Sequence, residues 1–184
     1  MNRLSLAEFW QHQPFAYLET YSFNREPASA ELRQQLGLEM EAARQALQTA
    51  RYRQATSLHR RLSQLQAQLH GNLYHVQLAN PALNREYYAL RIATLPAHAA
   101  ETQRLGALLS QAGEPEFVSG CVPIFRDALA FYDAQGQWLQ TLNICFECLQ
   151  MQTPDGPAVE ADWATYKALA QRLRGLGHSI EEDS

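Results

Sequence analysis

Lysine is almost missing from this chain. Lys167 is the only one, and arginine carries the rest of the positive charge. That bias reads as the mark of a GC-rich, bacterial coding genome rather than of a function. Long apolar runs are missing as well. Nothing approaches the roughly 18 consecutive apolar residues of a membrane-spanning helix, so no membrane span is expected. The opening Met1–Trp10 contains Glu8 and no apolar core segment. It is not read as a secretory leader, and the cytoplasm is the expected compartment. An excess of positive charge is also lacking. A net charge of -4 argues against non-specific nucleic-acid binding, which exchanges phosphate counterions for clustered cations. The chain has no phosphate-binding glycine loop, no dinucleotide fingerprint and no nucleophile elbow. Its histidines, at 12, 59, 70, 75, 98 and 178, show no metal-ligand spacing and read as ordinary surface residues. Cysteine is scarce. An odd total of 3 does not suggest the disulfide scaffold of a secreted domain, so reduced thiols or a metal site are the natural readings.

What remains is a chain of 184 residues, 46% apolar and 18% charged, which suffices for one core with an appendage. Residues 1–26 are rich in aromatics without a clean period. A short helix near 5–11 is expected there, with the remainder wrapping the core. Pro27 and Ser29 open a helical region, with Ser29 as its candidate cap. From Leu32 to Leu69 apolar residues recur at helical spacing, and the phase slips between Ala50 and Ala55. Either one long helix with a stutter or two antiparallel helices joined near Thr49–Tyr52 satisfies this pattern. The stretch Leu47–Ala55 followed by Leu58 and Leu62 resembles the UVR helical hairpin. Its departures are Ala55-Thr56 and His59-Arg60, where that family carries two small residues and an Arg-Asp pair. Arg51, Arg53, His59, Arg60 and Arg61 make the second helical half basic, either a solvated face or a surface for an acidic partner.

Further along, a strand is expected at 73–78, a turn at Asn80-Pro81, a strand at 86–95 and a helix at 97–112. A hairpin then runs from about Phe117 to Tyr132 and from Gln137 to Met151, turning at Asp133-Ala134-Gln135-Gly136. A final helix is expected over 160–176, with Trp163, Tyr166, Leu169, Ala170 and Leu173 on its inner stripe.

The thiols converge on that hairpin. If Asp133 pairs with Gly136, Cys121 lies opposite Cys148, and facing residues have Cβ atoms about 4.5–5.5 Å apart. Simple alternation places Cys121, Phe125, Leu129 and Phe131 on an apolar face with Trp138, Leu142, Ile144, Phe146 and Cys148. Cys145 falls on the mixed face with Arg126, Asn143 and Glu147. Only a bulge or turn at 145–148 would gather all three sulphurs. Three readings stand: a metal site, with zinc as the default; a reversible disulfide, Cys121–Cys148 or Cys145–Cys148; and buried thiols that pack as small hydrophobes. Asp127 falls on the apolar face, which is costly unless it is paired, and Arg126 is the nearest donor.

Cys121-Val122-Pro123 through Asp133, then Leu142 through Cys148, resembles a family of small bacterial proteins. Its members carry a Cys-x-x-Pro…Arg segment, a Phe-Tyr-Asp turn and an Ile-Cys-Phe-x-Cys strand. The similarity spans about residues 86–178 and implies a fold but no activity. Relatives carry a further cysteine where this chain has Asp162-Trp163, which counts against a four-cysteine site.

The expected architecture is α+β. A small antiparallel sheet with the C-terminal hairpin packs on helices, beside an N-terminal long helix or helical hairpin. The expected units are an N-terminal segment and arm at 1–72, an α+β domain at 73–178, and a disordered acidic tail at 179–184. Two functions are expected of it. One is a non-enzymatic binding or regulatory module without a cofactor, which meets a protein partner or a second copy through the arm. The other is a thiol-based zinc or redox protein using Cys121, Cys145 and Cys148. Arg126, Asp127 and Glu147 are candidate ligand or ion-pair contacts, and Glu147 is the base to suspect if a zinc hydrolase were present.

Overall fold

The structure, a computed structural model, describes residues 3–23, 25, 28–70, 77–81, 89–113, 120–154, 156 and 158–181. The chain is α+β. Among the described residues the seven strands are β1 (Arg3–Ser5), β2 (Tyr17–Ser22), β3 (Leu90–Pro96), β4 (Asp127–Tyr132), β5 (Trp138–Cys145), β6 (Gln150–Gln152) and β7 (Ala158–Glu160). They form one mixed sheet in the order β1-β7-β6-β5-β4-β2-β3. The β1–β7 pair is parallel and every other neighbour is antiparallel.

The stretch expected to wrap the core thus supplies β1 and β2. The sheet draws on both sides of the division expected at residue 72. Helix α1 (Leu6–Gln11) falls where expected, and Ser5 starts it with a reciprocal capping box. The Ser5 hydroxyl accepts from the Glu8 N–H at 3.2 Å, while the Glu8 carboxylate accepts from the Ser5 N–H at 3.1 Å.

The slip in apolar phase marks a break between two helices. Helix α2 (Ala28–Thr49) and helix α3 (Tyr52–His70) form a hairpin. They pack on each other through Met40, Ala43 and Leu65, which are buried, and through the half-buried Leu47, Leu58 and Leu62. Arg61 of α3 reaches Glu39 of α2 at 2.6 Å. Ser29 lies inside α2 rather than capping it. The strand expected at 73–78 and the first part of that at 86–95 fall mostly outside the described residues.

Both faces of the sheet are covered. On one, Leu18, Leu129, Phe131, Leu142 and Ile144 meet α1, α4 (Ala100–Ser110) and α5 (Trp163–Leu176), through Phe9, Leu105, Leu109, Leu169 and Leu173. On the other, Tyr21, Phe23, Leu78, Phe125, Ala128, Ala130 and Tyr132 cluster with Cys145 and Cys148. Asn143 joins this second layer to the 77–81 segment. Its side chain accepts from the Leu78 N–H at 2.7 Å and donates to the Leu78 carbonyl at 3.0 Å. Trp163, expected on the inner stripe of α5, is instead 46% exposed, with the Lys167 ammonium 4.8 Å from its ring centroid.

The hairpin register differs from the expected one. Asp133 pairs with Gln137, not Gly136: its N–H donates to the Gln137 carbonyl at 3.0 Å. Gly136, at φ 75, takes the left-handed position of a three-residue loop. A second irregularity lies between Phe131 and Tyr132, so Asp127 faces Ile144. The tail also departs from expectation. His178 is buried, and the Arg174 guanidinium donates to the carbonyls of Ile180, at 2.9 Å, and Glu181. Residues 179–181 are thereby tied to α5.

Candidate functional site

Regular strand geometry ends before the thiols begin. Strand β4 starts only at Asp127, and the 120–126 segment runs irregularly beside the end of β5, where the Arg126 N–H donates to the Ile144 carbonyl at 3.3 Å. Pro123 in that segment has no N–H to offer a ladder. After Cys145 the chain turns through Phe146–Leu149 and returns as β6, with Cys145 facing Gln150. Leu149 closes the turn at φ 50, the left-handed region that a leucine enters at a cost of about 1 kcal/mol.

Cys121 and Cys148 are joined by a disulfide, with Cα atoms 5.7 Å apart. They are neighbours as expected, although two loops bring them together and not a ladder pair. The Gln150 side chain clasps the junction by donating to the Cys121 carbonyl at 3.3 Å. Cys121 is exposed, whereas Cys148 is 3% and Cys145 2% exposed. Cys145, placed by alternation on a mixed face, is buried beside Cys148 because that face has its own apolar layer. Phe125 lies on this side too, contrary to expectation, since the irregular 120–126 segment breaks the alternation.

Cys145 keeps a free thiol. Burial pushes its titration up, while the backbone of Cys148 and Ile124 acts in the opposite direction. Both sulphurs of the disulfide lack thiolate character, and among the described residues no group of three or more His, Cys, Asp or Glu side chains is arranged to hold a metal.

The charged candidates divide into two pairs. Arg126 bridges to Glu147, which is 62% exposed. Asp127 lies on the helix-covered face as alternation requires, but its partners are Arg25 and His178, not Arg126. His178 Nδ1 lies 2.7 Å from Asp127 Oδ1, and its Nε2 lies 2.9 Å from Thr20 Oγ1. His178, read as a surface residue, is thus the buried centre of a polar chain. Its signal was present. It follows Gly177, the left-handed residue that ends α5 at φ 108, and the residue after such a glycine is turned inward.

A second polar cluster sits on the other face of the sheet. The Glu19 carboxylate accepts from the Tyr21 hydroxyl at 2.5 Å and from Arg91 at 2.8 Å. Tyr132 stacks on Tyr17 with centroids 5.0 Å apart. Burial raises both Tyr21 and Tyr132, the latter to about 12.

The helical arm presents a different kind of surface. Tyr52, Thr56, His59, Arg60 and Ser63 follow the helical repeat along one stripe of α3, and all are exposed. Tyr52 is 88% exposed. The sequence contains no acidic residue from Ala42 to Arg85. Arg61 is engaged by Glu39, while the Arg51 and Arg60 guanidiniums meet no carboxylate among the described residues. No helix among the described residues is long and apolar enough to cross a membrane. No protein-family model matches the chain, and comparison with curated proteins and with solved structures found no match.

Proposed function

We propose that this chain is a non-enzymatic binding module that engages an acidic protein segment through the outer face of α3. The observation that carries this reading is an exposed, acid-free helix face in a chain whose net charge is -4. Elsewhere the molecule repels an anionic partner, so α3 is where such a partner is drawn in. Arg51 and Arg60 supply guanidinium forks for carboxylates, and Tyr52 supplies an exposed aromatic anchor. The hairpin with α2 holds this face rigid, which lowers the ordering cost of association.

The test is a titration of a fluorescent glutamate-rich peptide with the full chain, followed by anisotropy at two ionic strengths. Binding should weaken with salt. The double variant Arg51→Glu/Arg60→Glu should lose about tenfold in affinity, or roughly 1.4 kcal/mol. A duplex DNA probe should not compete. Equal affinity for the double variant, or no peptide binding at all, sinks the proposal. Self-association through the same face would appear as a concentration-dependent mass in sedimentation and would replace the acidic segment by a second copy.

A further inference from the structure

The three cysteines form an asymmetric set: one exposed residue bonded to one buried residue, with a buried free thiol three residues upstream. In an extended strand Cys145 and Cys148 would point to opposite faces. The Phe146–Leu149 turn, closed by left-handed Leu149, removes that separation. Both residues enter the same buried layer. The free thiol is therefore held in the same layer as the buried end of the disulfide, while the other end belongs to an exposed residue.

We propose that Cys145 is the internal attacking thiol of a disulfide exchange that moves the bond from Cys121–Cys148 to Cys145–Cys148 and releases Cys121 as a surface thiol. Cys145 gives up its proton, and its sulphur attacks Cys148 Sγ. The Cys145–Cys148 bond forms as the Cys121–Cys148 bond breaks, and the bonding pair leaves on Cys121, which takes up a proton from water. The step is an isomerisation with no net oxidation, so it needs no external oxidant or reductant. Its direction follows from solvation. The incoming thiolate is buried and poorly solvated, whereas the leaving thiolate forms in water. Exchange removes the covalent tie between the 120–126 segment and the 146–149 turn, leaving the Arg126–Glu147 ion pair, and exposes a nucleophilic cysteine that is otherwise masked.

The test uses the full chain, purified without reductant, incubated with iodoacetamide from pH 7 to 8.5 and digested with trypsin without reduction. Cys145 and Cys148 share one tryptic peptide, Asp127–Lys167, and Cys121 lies on another. The starting bond therefore links two peptides, and the product is a loop within one. The expected result is alkylated Cys121 appearing together with the internally bonded 127–167 peptide. The initial rate should rise about tenfold per pH unit, as the thiolate fraction does below the thiol's titration. Cys145→Ser should keep the two peptides linked and unlabelled throughout. Cys121→Ser, which contains only the product pair, should be isolated with an internal 145–148 bond and no free thiol. Linked peptides that persist in the parent chain at pH 8.5 overturn the proposal. So does alkylation of all three cysteines at the outset, or their release for alkylation only after a chelator, which would point to bound zinc.

Discussion

Asp127 shows what a buried charge demands of the chain around it. It is 1% exposed and is satisfied by Arg25 on one oxygen and His178 on the other. Removing one partner of such a set leaves charge or donors stranded in apolar surroundings. Asp127→Ala should therefore lower stability by roughly 3 kcal/mol, read as a shift in urea midpoint at unchanged slope. A loss well under 1 kcal/mol would show that the cluster does not hold the sheet to the end of α5. The need for a partner was legible, since alternation alone puts Asp127 on an apolar face. The partner was not. Arg25 and His178 lie 102 and 51 residues away, and local reading offers only Arg126, which turns to Glu147 instead.

Among the elements, helices were read best. The period of α3, the phase slip before it and the glycine that ends α5 all depend on residues within a few positions of one another. That terminus is a six-residue motif. The His178 N–H donates to the Leu173 carbonyl at 3.0 Å and the Gly177 N–H to that of Arg174 at 2.9 Å. A Cβ at Gly177 would find ordinary contact, 3.5 Å from Ile92 Cγ2, so its cost is backbone strain at φ 108. Gly177→Ala should lower the unfolding free energy by about 1 kcal/mol in a chemical denaturation curve. No change would mean that α5 ends as well without this turn. Strands were read less well. Strand β2 is buried at five successive positions because both sheet faces are covered, so period-two alternation is erased. Strands β1 and β7 are three residues each, too short to show a period. The hairpin register was off because the pairing of Asp133 with Gln137 and the bulge at Phe131/Tyr132 each displace it. The cysteine contact survived that error because loops make it.

The whole molecule carries its tyrosines as a record of burial. Tyr21, Tyr132 and Tyr166 are all raised above the ordinary tyrosine range, with burial as the leading cause in each. A group whose folded titration lies above its unfolded one stabilises the fold while protonated. That contribution is complete below about pH 10, where the unfolded chain is also protonated, and is lost as pH rises toward the folded value. For Tyr132 the loss extends to about 12. Stability should thus fall steeply above pH 10. Phenolate absorbance should appear in two stages, exposed rings first and these three together with loss of the native circular dichroism. Ionisation of all tyrosines in one early stage would contradict the two-layer burial.

The parallel pairing of β1 with β7 sets the order in which this molecule can be completed. Arg3 lies beside Ala158, so a strand synthesised early must wait for one translated much later. Until then β7 cannot be flanked by β1, and α1, which follows β1 directly, has no finished sheet edge to settle beside. The helical arm is under no such delay, since its contacts are local and it can form while translation continues. The arm can thus be complete while the chain is still on the ribosome, whereas the sheet closes only after nearly all of the described chain has emerged.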